Sequence, residues 1–261
     1  MLTLTHLDIS IGDKPICRDL SVHIGQGERW AVLGINGVGK TTLLHTLTGL
    51  RAPQRGSVTL AAVSNPQVGA GNTAISQLPA RERARRIGLM SQDDDFAAET
   101  RVLDAVLLGR LPHLNWWRGE TTQDLDIART ALREVGLDAS FEPRLASTLS
   151  GGERRRVALA TLLAQAVPLL ILDEPTTHLD LHQQIALLDL LAGLSGHTVI
   201  MSLHDVNLAV RYCTHTLLIF GDGQCCAGPT ATMLTADVLS RLYRHRVEAL
   251  PTEKGPVFMP A

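Results

Sequence analysis

The chain has 261 residues, enough for one large domain or two small ones, and with 45% apolar residues it can bury a substantial core, which excludes disorder as its default state. A formal net charge of −2 provides no global basic field and argues against an enzyme acting on nucleic acid. The four cysteines, Cys17, Cys213, Cys225 and Cys226, form no C-x-x-C pattern, so reduced thiols in a cytosolic chain are expected. The N-terminus lacks a signal-peptide pattern, and no apolar run approaches the roughly 18 residues that cross a bilayer.

Over residues 2–24 apolar side chains alternate: Leu2, Leu4 and His6, then Leu7, Ile9 and Ile11, then Leu20, Val22 and Ile24. A period of two predicts strands with one buried face, here broken by turns at 12–15 and 25–28. Two or three antiparallel strands therefore lead to the apolar run Trp30-Ala31-Val32-Leu33. Next come Gly34-Ile35-Asn36-Gly37-Val38-Gly39-Lys40-Thr41-Thr42 and the helix-forming Leu43-Leu44-His45-Thr46-Leu47. This is strand, glycine loop and helix with the spacing G-x-x-x-x-G-K-T, a phosphate-binding loop. Its glycines let backbone N–H groups turn inward onto a polyphosphate, and the helix adds its positive end. Lys40 can reach the β- and γ-phosphates, and the Thr41 hydroxyl can sit on Mg²⁺.

Pro53 and Gly56 mark a connection, after which 57–60 returns as a strand. Residues 61–73 are turn-forming without periodicity and predict an exposed loop. A short basic helix is expected over 79–86, before the apolar Ile87-Gly88-Leu89-Met90. Helical spacing then recurs over 100–114, over 124–135 up to Gly136, and over 149–166, so roughly 95–165 is predicted to be mostly helical. The basic clusters at 81–86 and 154–156 read as solvated helix faces. Beyond them, 167–172 and 198–202 are short buried strands, 181–194 and 206–212 are helices, and a strand at 216–220 precedes a hairpin turn and a helix over 235–243. Strand and helix in alternation predict a parallel α/β core.

Asp173 and Glu174 end a wholly apolar strand, where ligands bind in open α/β sheets. One carboxylate can hold Mg²⁺ through water and the next can accept a proton from an attacking water. Packing explains the pair poorly, because unpaired buried carboxylates are costly. His204 ends the following strand, within reach of the same chemistry, and Gln92 follows the strand at 87–90, where its neutral amide can ligate Mg²⁺. Ser150 can cap the helix that begins Gly151-Gly152, whose free N–H groups make a second anion site. One nucleotide needs only one such cradle.

Taken together, these motifs resemble the nucleotide-binding subunit of ATP-binding-cassette (ABC) transporters over essentially the whole chain. Gly34 to Thr42 matches the Walker A loop and Gln92 the Q-loop glutamine. Leu149-Ser150-Gly151-Gly152-Glu153 matches the signature motif, and Leu169 to Glu174 matches Walker B. Thr177-His178-Leu179-Asp180 matches the D-loop and His204 the switch histidine. The resemblance implies a P-loop ATPase core with a mostly parallel sheet, an N-terminal antiparallel β subdomain and an inserted α-helical subdomain, all in one cassette over 1–261, with a C-terminal strand and helix segment near 216–261. It further implies that Lys40 and the loop amides bind phosphates and that Thr41, Gln92 and, through water, Asp173 hold Mg²⁺. Glu174 is then the general base and His204 senses the γ-phosphate. Ser150 and Gly152 contact the ATP of a second copy, and Asp180 lies across that head-to-tail interface.

Leu108-Gly109-Arg110, Pro112-His113 and Glu174-Pro175-Thr176-Thr177-His178-Leu179-Asp180 are similar to the ATPases of metal-chelate importers for ferric siderophores, haem and cobalamin. The expected partners are integral-membrane permease subunits, whose helix enters a groove of the helical insert, and indirectly a substrate-binding protein. The expected location is peripheral, on the cytoplasmic face of the inner membrane. An exporter ATPase, a soluble ABC ATPase of DNA repair or translation, and a regulatory module without turnover are the alternatives; Glu174 and His204 argue against the last. Two departures stand out. Ile11 occupies the place of the family's usual adenine-stacking aromatic, and Glu153 replaces the commoner glutamine.

Overall fold

The alternating N-terminal segment folds into an antiparallel pair, β1 (Leu2–Ile11) and β2 (Lys14–Ile24). The computed structural model describes residues 1–61, 72–92, 96–115, 117, 119–253 and 255–261. One face does not run unbroken along β1. His6 has a φ of 48° and Asp19 on the paired strand a φ of 53°, and the register shifts between Leu4 and Leu7. Leu2 and Leu4 are buried before the break and Leu7 and Ile9 after it, while His6 and Ile11 face solvent. This corrects the expectation that His6 and Ile11 share the buried face. An irregularity of this kind turns the strand and re-aims its side chains, and His6 Nδ1 sits 2.6 Å from Asp19 Oδ1 on the outside.

The chain continues through β3 (Arg29–Leu33), α1 (Lys40–Leu47), β4 (Arg55–Leu60) and the two-residue β5 (Thr73–Ala74). Next come α2 (Ala80–Ala84), β6 (Ile87–Met90), α3 (Val102–Leu107), α4 (Thr122–Glu134) and α5 (Gly151–Ala164). They are followed by β7 (Leu169–Leu172), α6 (Leu181–Gly193), β8 (Thr198–Ser202) and α7 (Val206–Tyr212). The last elements are β9 (His215–Ile219), β10 (Cys225–Pro229), α8 (Thr230–Met233), α9 (Ala236–Tyr243), β11 (Val247–Thr252) and β12 (Gly255–Pro260).

The chain divides into two compact units. Residues 1–79 and 196–261 form the first, and residues 80–195 the second. In the first unit an antiparallel sheet runs β2-β1-β4-β5, and a second set of strands runs β10-β9-β3-β8. There β3 is parallel to both β8 and β9, as the alternation of strand and helix predicts, and the β9–β10 hairpin is antiparallel. All five residues of β8 are buried, which suits a strand covered on both faces. The β11–β12 hairpin was not legible from pattern, because Pro251, Pro256 and Pro260 interrupt it and most of its side chains are exposed. Asn207 on α7 secures it, donating to Phe258 O at 3.1 Å and accepting from Phe258 N at 2.8 Å.

In the second unit β6 and β7 pair in parallel from Ile87 opposite Leu169 to Met90 opposite Leu172. All four residues of β7 are completely buried. Helices α3 and α4 pack on α5, and side-chain capping boxes, Thr121 with Asp124 and Ser150 with Glu153, start α4 and α5. The stretch expected to be helical lies within this unit. The loop expected over 61–73 falls mostly on 62–71, outside the described residues; Thr73 and Ala74 pair with Leu60 and Thr59. All four cysteines are free, and burial pushes the Cys213 thiol up to about 12. Among the described residues no helix is long and apolar enough to cross a membrane.

Candidate active site

The first unit carries the glycine loop and His204. Strand β3 ends at Leu33, and the chain turns through Gly34, Gly37 and Gly39 at φ values of 156°, 70° and 111° before α1 begins at Lys40. Two of these positions have no room for a side chain. A Cβ on Gly34 would lie 2.7 Å from Ile219 O, and one on Gly39 would lie 2.5 Å from Ile16 Cδ1. Asn36 and Gly37 are exposed and Val38 is buried beneath them. Lys40 folds back over the loop, donating from Nζ to Gly34 O at 3.0 Å and Ile35 O at 3.4 Å. No side chain caps the N-terminus of α1, where Thr41 is exposed and Thr42 half-buried. This is a cradle of backbone donors with a cation at its rim, and it fits a polyphosphate. Lys14, register partner of Ile11, donates from Nζ to Gly37 O at 3.4 Å, which brings the β1–β2 turn to the loop. His204 is exposed after β8, and Asp205 beside it caps α7 by accepting from Asn207 N at 2.7 Å.

The second unit carries Gln92, Ser150, Gly151, Gly152, Asp173, Glu174 and Asp180. Gln92 is exposed in the turn beyond β6. Asp173 follows β7 with its backbone N–H on Met90 O at 2.8 Å and is 1% exposed. Glu174 holds the left-handed φ of 48°, a conformation that disfavours any residue with a Cβ. Its carboxylate accepts from the Thr177 hydroxyl at 3.2 Å. Asp173 and Gln92 in this unit, and Thr41 in the first, each carry a hard oxygen donor of the kind Mg²⁺ prefers.

Ser150 caps α5 by accepting from Glu153 N at 3.2 Å, while Glu153 accepts in return from Ser150 N at 2.7 Å. That backbone donor, with Arg144 at 3.2 Å, holds the Glu153 carboxyl below its usual range. Glutamate at this position therefore completes a capping box. Gly152 is buried under Gln183, whose Oε1 would lie 2.5 Å from a Cβ there. Asp180 caps α6 by accepting from Gln183 N at 2.8 Å, and Gln184 ties down the preceding turn by donating to Leu179 O at 2.9 Å. The start of α5 and the start of α6 thus meet through Gln183. Gln183 carried no sequence signal of its own.

Elsewhere in this unit, Leu89, Phe96, Leu108, Leu111, Pro112 and Leu162 line an apolar groove of 390 Å³. Leu108 and Leu111 are 49% and 58% exposed in it. The basic segment at 81–86 is more than a solvated face, since Arg81 and Arg85 both donate to Pro112 O, at 2.9 and 2.8 Å.

A family model described as ABC transporter matches residues 17–177. The chain is 34% identical to the ferric enterobactin transport ATP-binding protein FepC of Escherichia coli, covering 97% of this chain and 92% of that one. It is 36% identical to the hemin import ATP-binding protein HmuV of Deinococcus radiodurans, covering 94% and 91%. Among solved structures, a metal-chelate type ABC transporter in an inward-facing conformation superimposes with a TM-score of 0.83 at 28% identity, over 100% of this chain and 97% of that one. A dimeric ATP-binding cassette in a post-hydrolysis state, bound to ADP and Pi, superimposes with a TM-score of 0.72 at 25% identity, over 88% and 99%.

Proposed function

Because the chain belongs to the ABC transporter family, we propose that it is the ATP-hydrolysing subunit of an importer that moves a metal chelate, a ferric siderophore, haem or cobalamin, through a partner permease. The similarity to ferric enterobactin and hemin proteins over nearly the whole chain supports the import direction and the cargo class. The observation that carries the hydrolytic part is Glu174. It follows four fully buried apolar residues, holds a strained φ of 48°, and has its carboxylate steadied by Thr177.

In this reading Lys40 and the amides of Gly34, Asn36, Gly37, Val38, Gly39, Thr41 and Thr42 hold the phosphates of ATP. Thr41, Gln92 and Asp173 hold Mg²⁺, which when bound neutralises charge on the phosphoryl oxygens. Glu174 takes a proton from the attacking water, and His204 hydrogen-bonds the γ-phosphate. Ser150, Gly151 and Gly152 present the positive end of α5 to an ATP held by a second copy, with Asp180 at the same interface. Two copies enclose two nucleotides head to tail, a reading that the dimeric cassette among the neighbours supports. The whole of 1–261 acts as one cassette, with roughly 95–165 as its helical part and 216–261 as its C-terminal segment. The apolar groove receives a permease helix, so the subunit works peripherally at the cytoplasmic face, served indirectly by a substrate-binding protein and independent of nucleic acid.

The test is Glu174→Gln. ATP binding is expected to survive, and kcat to fall by about 10²-fold or more, the range of a lost general base. The ATP-bound variant is expected to sediment as a dimer. Unchanged turnover would sink the base assignment, and a monomer in the presence of ATP and permease would sink the sandwich.

A further inference from the structure

Within the cluster at 154–156, expected to be a solvated helix face, Arg155 has a different fate. It lies in the second turn of α5, half-buried. Its Nη2 donates to Glu174 O at 2.7 Å and Asp173 O at 2.9 Å. Its Nη1 donates to Ser91 O at 3.0 Å and Gln92 O at 3.1 Å, and its Nε to Pro175 O at 3.3 Å. One side chain thus holds five backbone carbonyls from two segments far apart in sequence.

We infer that Arg155 is a positioning residue for ATP hydrolysis: its guanidinium clamps the backbone bearing Gln92 to the backbone bearing Asp173 and Glu174, and anchors both to α5. The inference rests on the proposed roles of those three residues. Arginine is suited to this for physical reasons. Its N–H groups diverge in one rigid plane, so a single group reaches carbonyls on several sides. Each bond is charge-assisted and stronger than a neutral one. All five acceptors are main-chain atoms, so the clamp leaves the carboxylates of Asp173 and Glu174 and the amide of Gln92 to their own partners. The shortest of the five bonds falls on Glu174, the residue held at φ 48°. A conformation of that kind persists only where its surroundings over-determine it. Because Ser150 caps α5, the helix that would meet the second copy's nucleotide is the one that carries the clamp.

The experiment compares Arg155→Lys and Arg155→Gln with wild type in the full chain, measuring kcat and KM for ATP and the thermal midpoint, with Glu174→Gln in parallel. Lysine keeps the charge but concentrates its donors on one atom; glutamine keeps a planar group with fewer donors. Both are expected to lower kcat about tenfold or more, equivalent to about 1.4 kcal/mol of barrier. KM is expected to stay within about twofold, since the loop at 34–42 holds the phosphates, while the midpoint falls by several degrees as charge-assisted bonds to part-buried carbonyls are lost. A kcat within about twofold of wild type in both variants would overturn the inference. So would kcat and KM deteriorating by similar factors, which marks a general packing role. Wild-type turnover in Glu174→Gln beside slow Arg155 variants would remove the base assignment alone, leaving Arg155 as the support of Gln92 and Asp173.

Discussion

Arg110 Nε lies 2.9 Å from Asp124 Oδ1, with the two side chains only 9% and 10% exposed. The same guanidinium donates from Nη1 to Ala164 O at 2.8 Å, so one cation joins the end of α3, the start of α4 and the end of α5. Removing it strands a buried carboxylate. Arg110→Ala is expected to lower unfolding stability by roughly 3–5 kcal/mol, the usual penalty for breaking a buried pair. Chemical denaturation gives the value, and a loss below about 1 kcal/mol would show that water replaces the arginine freely.

The acid side of stability follows from the same carboxylate. The Thr121 hydroxyl first, and Arg110 after it, hold the Asp124 carboxyl below its usual value of 3.8. A depressed folded value means the contribution is fully present above the unfolded carboxyl's range and is lost as pH falls through the folded one. Thr121→Val removes the largest cause and also the N-cap of α4. It is expected to cost about 0.5–2 kcal/mol at pH 7. In denaturation series from pH 7 downward, the gap between wild type and variant should narrow below the carboxyl range. A gap independent of pH would assign the whole effect to the cap.

Gly109 is required by proximity, not by backbone angle. A Cβ there would fall on the Thr161 carbonyl oxygen and lie 3.2 Å from Gln165 N, both backbone atoms of or next to α5. Neither can move without shifting the helix. Gly109→Ala is expected to destabilise by about 1–3 kcal/mol or more, as overpacking does. A thermal midpoint equal to wild type would show that the turn after α3 yields instead.

What the sequence disclosed and what it hid separate along a physical line. The glycine loop, the apolar strand before Asp173 and the cap Ser150 depend on neighbours within a few residues, so spacing and period expose them. The break at His6 depends on Asp19 and the register of another strand, and nothing local announces it. Arg155 is the sharper case. Three consecutive arginines early in a helix have the composition of a solvated face, yet the carbonyls that Arg155 holds come from Ser91 and Gln92 on one side and Asp173 to Pro175 on the other. Only the fold brings them together. Gln183 over Gly152 is hidden for the same reason.

Ile11 raises the remaining question, how the base of the nucleotide is held. It ends β1 opposite Lys14, whose ammonium reaches Gly37 of the phosphate loop, and it is 47% exposed. A large apolar side chain half in solvent beside a phosphate cradle is well placed to cover a base, but an aliphatic one offers no π-face. Stacking of a base on an aromatic ring is worth about 1–3 kcal/mol. Ile11→Tyr already has room, since the native side chain projects into solvent, so folding should be unaffected. The variant is expected to bind ATP about fivefold or more tightly by calorimetry, and GTP by a similar factor, because stacking is tolerant of base identity. Unchanged affinity for both nucleotides would place Ile11 away from the base.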